Sequence, residues 1–239
     1  MDNIYNYKNV DSVIRHIPLN TDTLLLGEST HGTEEFYNIR KEITQNYIEH
    51  YNFNLLLLEC DWLKLYKINK LIHSEDSNNK ISDLLDNNKS FPKWMWNNKQ
   101  IVDLFEWIND FNKKSSRKVY ILGIDCYLLI ESIEYIIDFL LKIDTDLGET
   151  VNKSLDVFKN LNTVKSFMNF IMNYDDKNII QYYEQYFQNL LIQIQNNYDE
   201  YTLRCIEKDI DLFDLITLEH SAEVVISSFE YFKKQYTEP

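Results

Sequence analysis

The alternation of short apolar runs with helical patterns is what most restricts the fold of this chain. Thr23–Leu26, Asn54–Leu58 and Val119–Ile124 are apolar runs of strand length. None shows clear polar alternation, which suits strands of a parallel sheet buried on both faces. Between them, Glu34–Tyr51, Trp62–Ile72 and Gln100–Phe111 place apolar residues near a helical period, as in Ile101, Leu104, Phe105 and Ile108. Strand–helix–strand order with crossovers of this length predicts an α/β architecture with right-handed connections. The expected class is therefore α/β, a three-layer core with a mainly parallel sheet of few strands. A long-helix portion is expected in the C-terminal half.

That second portion begins near Ile130. Ile130–Ile143 is amphipathic, Val151–Tyr174 and Lys177–Leu215 are long helical patterns, and Ala222–Tyr236 is a final helical run. No strand of comparable clarity follows Ile124. Only 4 Gly and 3 Pro occur in 239 residues, which favours long helices over a turn-rich sheet protein. The expected division is an α/β core over 1–145, a helical portion over 146–215 and a late helix over 216–239 that returns to the core. Ser77–Asn88 reads as a polar loop over part of its length. KKSSRK, from Lys113, reads as a solvated loop before a strand.

Composition narrows the partners. The formal net charge is -14, so neither nucleic acid nor an anionic membrane is an expected partner. Cys60, Cys126 and Cys205 are widely spaced and lack CxxC pairs, which argues against a disulfide framework or a zinc knuckle. The N-terminus shows no signal-peptide pattern, and no apolar stretch is long enough to span a bilayer. A cytoplasmic location is the expectation.

The chemistry-bearing residues follow the apolar runs. LLLGESTHG puts Gly27, Glu28, Ser29, Thr30 and His31 after the first, LLLLECD puts Glu59, Cys60 and Asp61 after the second, and Asp125 follows the third. Ligands bind outside the carboxyl ends of strands in open parallel sheets. Parallel strands would thus bring Glu28, His31, Glu59 and Asp125 to one edge. An imidazole titrates near neutrality and is a natural base, and a carboxylate beside it fixes its tautomer. Either Glu28 or Glu59 suits that part. Thr30 or Thr33 is placed to cap the helix that starts near Glu34. Arg40, on that helix, suits an oxyanion or a carboxylate partner such as Glu28 or Glu59.

Plainer readings stand beside this one. A Gly-, Ser- and Thr-rich turn serves helix capping alone, with Glu28 paired to Arg40 and His31 on a backbone carbonyl. Glu28, His31 and Glu35 also offer a metal-ligating pattern, although no second histidine lies at ligand spacing. FPKWMW, Phe91–Trp96, either anchors a long crossover or walls an apolar pocket.

Taken as blocks, Gly27–Gly32, Glu35 with Phe36, Arg40, LLLLECDW, FPKWMWNN, GIDCY and the late SAEVVISSFEYFKKQY resemble the erythromycin esterase family. The resemblance implies hydrolysis of a macrolide lactone or another carboxylic ester, without a covalent intermediate, a cofactor or an essential metal. It implies His31 as the group activating water, Glu28 as the glutamate beside it, and Arg40 and Glu59 in the active site. Thr30, Glu35, Asp61 and Asp125 would support the cleft. Family members continue past the late helix to a second histidine motif, so the chain is expected to be a single domain truncated relative to the family. The expected partner is a small ester or lactone, with a homodimer through an uncovered sheet edge. A catalytically inactive binding module and a metal-dependent hydrolase are the alternatives.

Overall fold

The computed structural model describes residues 9–74, 80–86, 93–161, 166, 167, 169, 170 and 177–237. The chain divides into two compact units, Met1–Ile124 and Asp125–Pro239. It has an α/β fold, mostly helical with a small parallel two-stranded sheet.

The first unit runs α1 (Val10–Ile14), α2 (Glu34–His50), β1 (Leu55–Asp61), α3 (Trp62–His73), α4 (Ile81–Asp86), α5 (Lys93–Trp96), α6 (Lys99–Lys114) and β2 (Tyr120–Asp125), whose last residue opens the second unit. The helices form where the sequence gives one continuous apolar stripe. In α6, Ile101, Leu104, Phe105 and Ile108 are buried along one side. Its N-cap, Asn98, accepts from the backbone N–H of Ile101 at 3.0 Å. Leu58, Cys60, Val119 and Ile121 of the sheet region join Leu65, Ile68, Phe105 and Ile108 in one apolar cluster.

Two buried asparagines tie helices to the sheet. Asn112 donates to the Val119 carbonyl at 2.9 Å and accepts from the Val119 N–H at 2.8 Å, fastening the end of α6 to the start of β2. The Tyr120 N–H reaches Asn54 on the β1 side at 2.8 Å. Successive amides alternate sides along a strand, so that of Ile121 points away from β1. It donates to Asn69 Oδ1 of α3 at 3.0 Å. Gly123 has no room for a side chain, because a Cβ there would lie 2.1 Å from the Cys60 carbonyl oxygen.

Three expectations change. Thr23–Leu26 is not a strand: the segment pairs with neither β1 nor β2, and Leu25 is 88% exposed. A strand exists only through its ladder, and an apolar run of four residues does not specify one. LLLL looked continuously buried, yet Leu55 and Leu57 are about half exposed while Leu58 is buried. The KKSSRK loop is not wholly solvated either. Arg117 turns inward, donating to the Phe53 carbonyl at 2.8 Å and to that of Ile48, and lies over the Phe111 ring. It thus takes one of the orphan carbonyls at the end of α2.

After Asp125 the elements among the second unit's described residues are helical, among them α7 (Leu129–Ile143), α8 (Thr145–Ser154), a 3₁₀ turn (Asp156–Asn160), α9 (Lys177–Asn196), α10 (Tyr198–Glu207) and α11 (Leu212–Thr237). Its core joins Ile133, Ile136 and Leu140 of α7 to Leu218, Val225 and Phe229 of α11. Phe158 stands among aromatic rings, edge-on to Tyr183 at 4.9 Å. The run expected over Lys177–Leu215 is three helices. Asn197 interrupts it once, and Asp209 interrupts it again in the left-handed region at φ 53, with the Ile210 N–H returning to the Cys205 carbonyl. The pattern over Val151–Tyr174 spans the end of α8 and the 3₁₀ turn, and part of it falls outside the described residues, as does Ser77–Asn88 in part.

Candidate active site

The loop before α2 carries the site. Ser29 through Gly32 form bends and a turn, and Gly32 takes φ 78, a conformation that suits glycine. Thr33 occupies the N-cap position of α2 without a side-chain cap bond, while its carbonyl accepts from Phe36 at 3.1 Å. Thr30 is exposed and donates to the His31 carbonyl at 3.4 Å. Neither threonine hydroxyl caps the helix. Glu34 and Glu35 fill its first turn, where negative charge meets the positive end of the helix dipole.

Glu28 sits between two side chains, His31 and Arg40. Its Oε1 lies 2.5 Å from His31 Nδ1, and its Oε2 accepts from Arg40 Nη2. The exposures differ in a way that matters. The Glu28 side chain is only 6% exposed and that of Arg40 13%, whereas His31 is 53% exposed. A buried carboxylate is therefore neutralised from behind by a guanidinium and presents one oxygen to an open imidazole. With Nδ1–H donated to Glu28, the lone pair resides on Nε2.

Tyr37 completes the cluster. It is 3% exposed, and the Arg40 guanidinium lies over its ring at 5.4 Å. Its hydroxyl is buried toward the Gly32 backbone. Burial pushes the phenol above its ordinary range and the Glu28 charge adds to this, while the Gly32 backbone and the Arg40 guanidinium act the other way. Sequence reasoning passed over Tyr37, although Tyr-x-x-Arg spacing puts both side chains on one helix face.

The other candidate residues fall elsewhere. Glu59 is exposed within β1 and makes no hydrogen bond or ion pair with Glu28, His31 or Arg40 among the described residues. The expected gathering of strand-end acids depended on Thr23–Leu26 lying in the sheet, and that segment does not. Asp61 ends β1 and is buried, Glu35 is exposed, and Asp125 ends β2. Among the described residues, no group of three or more His, Cys, Asp or Glu side chains is placed to hold a metal ion. Met95 and Trp96 of the FPKWMW block are buried in the first unit's apolar cluster, which gives them an anchoring part.

Fold and site together define an α/β chain that carries a carboxylate-held histidine where a loop enters a helix. Comparison with known proteins gives this class its family. The erythromycin esterase family model matches residues 48–238, and the chain belongs to that family. The His31 loop precedes the matched span. Erythromycin esterase type II of Escherichia coli is 24% identical over 154 residues, covering 62% of this chain and 35% of the relative. Three solved structures share the fold. A mutant of the erythromycin esterase EreC in its open conformation gives a TM-score of 0.63 at 16% identity, over 89% of this chain and 50% of that one. A succinoglycan biosynthesis protein gives 0.64 at 17%, over 87% and 46%. A Bacillus cereus protein gives 0.65 at 18%, over 87% and 47%. The chain thus spans about a third of the curated relative's length and half or slightly less of each solved relative. No helix among the described residues is long and apolar enough to cross a membrane.

Proposed function

We propose that the chain is an esterase-like hydrolase that uses His31 as general base on a carboxylic ester, with macrolide lactones as the first substrates to test. The Nδ1–Glu28 contact beside an open imidazole carries this reading. His31 Nε2 takes a proton from water as the water oxygen forms a bond to the ester carbonyl carbon. The C=O pair moves to oxygen and gives an oxyanion. That pair returns as the C–O bond to the alkoxide breaks, and the alkoxide takes the proton back from the imidazolium. Acid and alcohol leave, and the base is restored. Glu28 stabilises the imidazolium in between, and Arg40 holds Glu28 in place.

The family assignment and the relatives named for erythromycin esterase support an ester as substrate. The test is liquid chromatography with mass detection on a panel of macrolides and simple esters. The expected result is gain of one water by at least one macrolide or release of acid and alcohol from at least one simple ester, with His31→Ala slower by roughly 10²–10⁴-fold, the usual worth of general-base assistance. Equal turnover by the two proteins would remove His31 from the reaction. Binding without turnover is a second reading, favoured by the exposed Glu59 standing apart from the cluster. Ligand retention by folded protein with no product across the panel would select it.

A further inference from the structure

The Glu28 carboxylate serves His31 only while Arg40 stays on the opposite oxygen. If Arg40 moved away, Glu28 would face His31 as an uncompensated charge, and nothing would fix which oxygen the imidazole meets. Arg40 also lies over the Tyr37 ring at 5.4 Å, a contact that restrains it. Both residues lie on α2, three apart, so the helix itself sets their relation. A guanidinium on a desolvated aromatic face is favoured electrostatically, more so than at an exposed site.

We propose that Tyr37 is a positioning residue for this site: its buried ring holds the Arg40 guanidinium on Glu28 Oε2 and so reserves Oε1 for His31. The ring is the acting part. The hydroxyl, buried toward the Gly32 backbone, is not what meets the guanidinium. The other charges near this loop sit at the solvent side. Glu34 and Glu35 are exposed, and Glu34 accepts from Gln100 at 2.7 Å. The inference rests on the reading of His31 as base, but its test needs no substrate, so the two fail separately.

The experiment follows the His31 imidazole through a pH titration by nuclear magnetic resonance in the full chain, with His31→Ala to assign its signal. Tyr37→Leu removes the ring, loosens Arg40 and exposes His31 to the full Glu28 charge. The His31 midpoint is then expected to rise by on the order of half a pH unit. Tyr37→Phe keeps the ring, so its midpoint stays at the wild-type value. Tyr37→Met fills similar space without a π face and repeats the expectation of the leucine variant should that one fail to fold. A wild-type midpoint in folded Tyr37→Leu or Tyr37→Met overturns the proposal. So does a shift in Tyr37→Phe as large as that of the ring-less variants.

Discussion

At the scale of single residues, the site is an exposed imidazole mounted on a buried ion pair, and the two halves respond differently to mutation. Arg40 and Glu28 are both largely shut from water. Removing one partner leaves the other as an uncompensated buried charge, which typically costs about 3–5 kcal/mol. Arg40→Ala is therefore expected to lower stability by about 3 kcal/mol in urea denaturation, and a loss under about 1 kcal/mol would mean that the pair is solvated. His31→Ala removes a half-exposed ring and leaves the melting temperature nearly unchanged. Glu28→Gln keeps the shape but loses the charge that stabilises the imidazolium. Hydrolysis by that variant is expected to fall roughly 10²–10⁴-fold, as when a triad carboxylate is neutralised. Unaltered hydrolysis would show that Glu28 has only a structural part.

At the scale of elements, helices were more legible in the sequence than strands. The stripe of Ile101, Leu104, Phe105 and Ile108 announces α6, and burial of those residues follows it. β1 and β2 were placed from apolar runs to within a few residues, with β1 extending to Asp61. Thr23–Leu26 carried the same local signal and forms no ladder, because pairing depends on chain far away in sequence. The site was legible in part for the same reason. Glu28, His31 and Arg40 are joined by a loop and one helix, a local arrangement that spacing reveals. Glu59 was added on the strength of the sheet, and the sheet does not bring it to them. Nothing in the pattern marked Asn112 or Asn69, whose buried amides meet backbone groups across a turn or 52 positions away. Asn112→Ala would strand both the N–H and the carbonyl of Val119. At about 1–3 kcal/mol per buried unsatisfied group, a stability loss of about 2 kcal/mol or more is expected in urea denaturation. A loss under about 0.5 kcal/mol would mean that water replaces the amide.

At the scale of the whole molecule, aromatic burial makes the folded chain sensitive to alkali. The sequence holds 17 Tyr. Burial first of all raises the phenols of Tyr37, Tyr47, Tyr127, Tyr186, Tyr198 and Tyr201 from the ordinary value of 10.0, and for Tyr201 the hydrogen bond to Asp144 and its charge push further. Between the unfolded and folded values the folded chain keeps protons that the unfolded chain has lost. The stability these groups contribute is thus fully present below pH 10 and is lost as pH rises through the folded values. Absorbance titration of phenolate is expected in two phases, the second coinciding with loss of helical circular dichroism. One smooth phase centred near 10 with the helices intact would contradict it.

Because a carboxylate only accepts, the Glu28 contact puts the His31 proton on Nδ1 and the lone pair on Nε2. Long-range proton–nitrogen correlation spectra of ¹⁵N-histidine protein, above the His31 titration and assigned with His31→Ala, report that tautomer directly. The expected spectrum shows a protonated Nδ1 and a bare Nε2 for His31, with Glu28→Gln losing that preference. A His31 protonated on Nε2, or one averaging freely between tautomers in the wild-type chain, would contradict the claim.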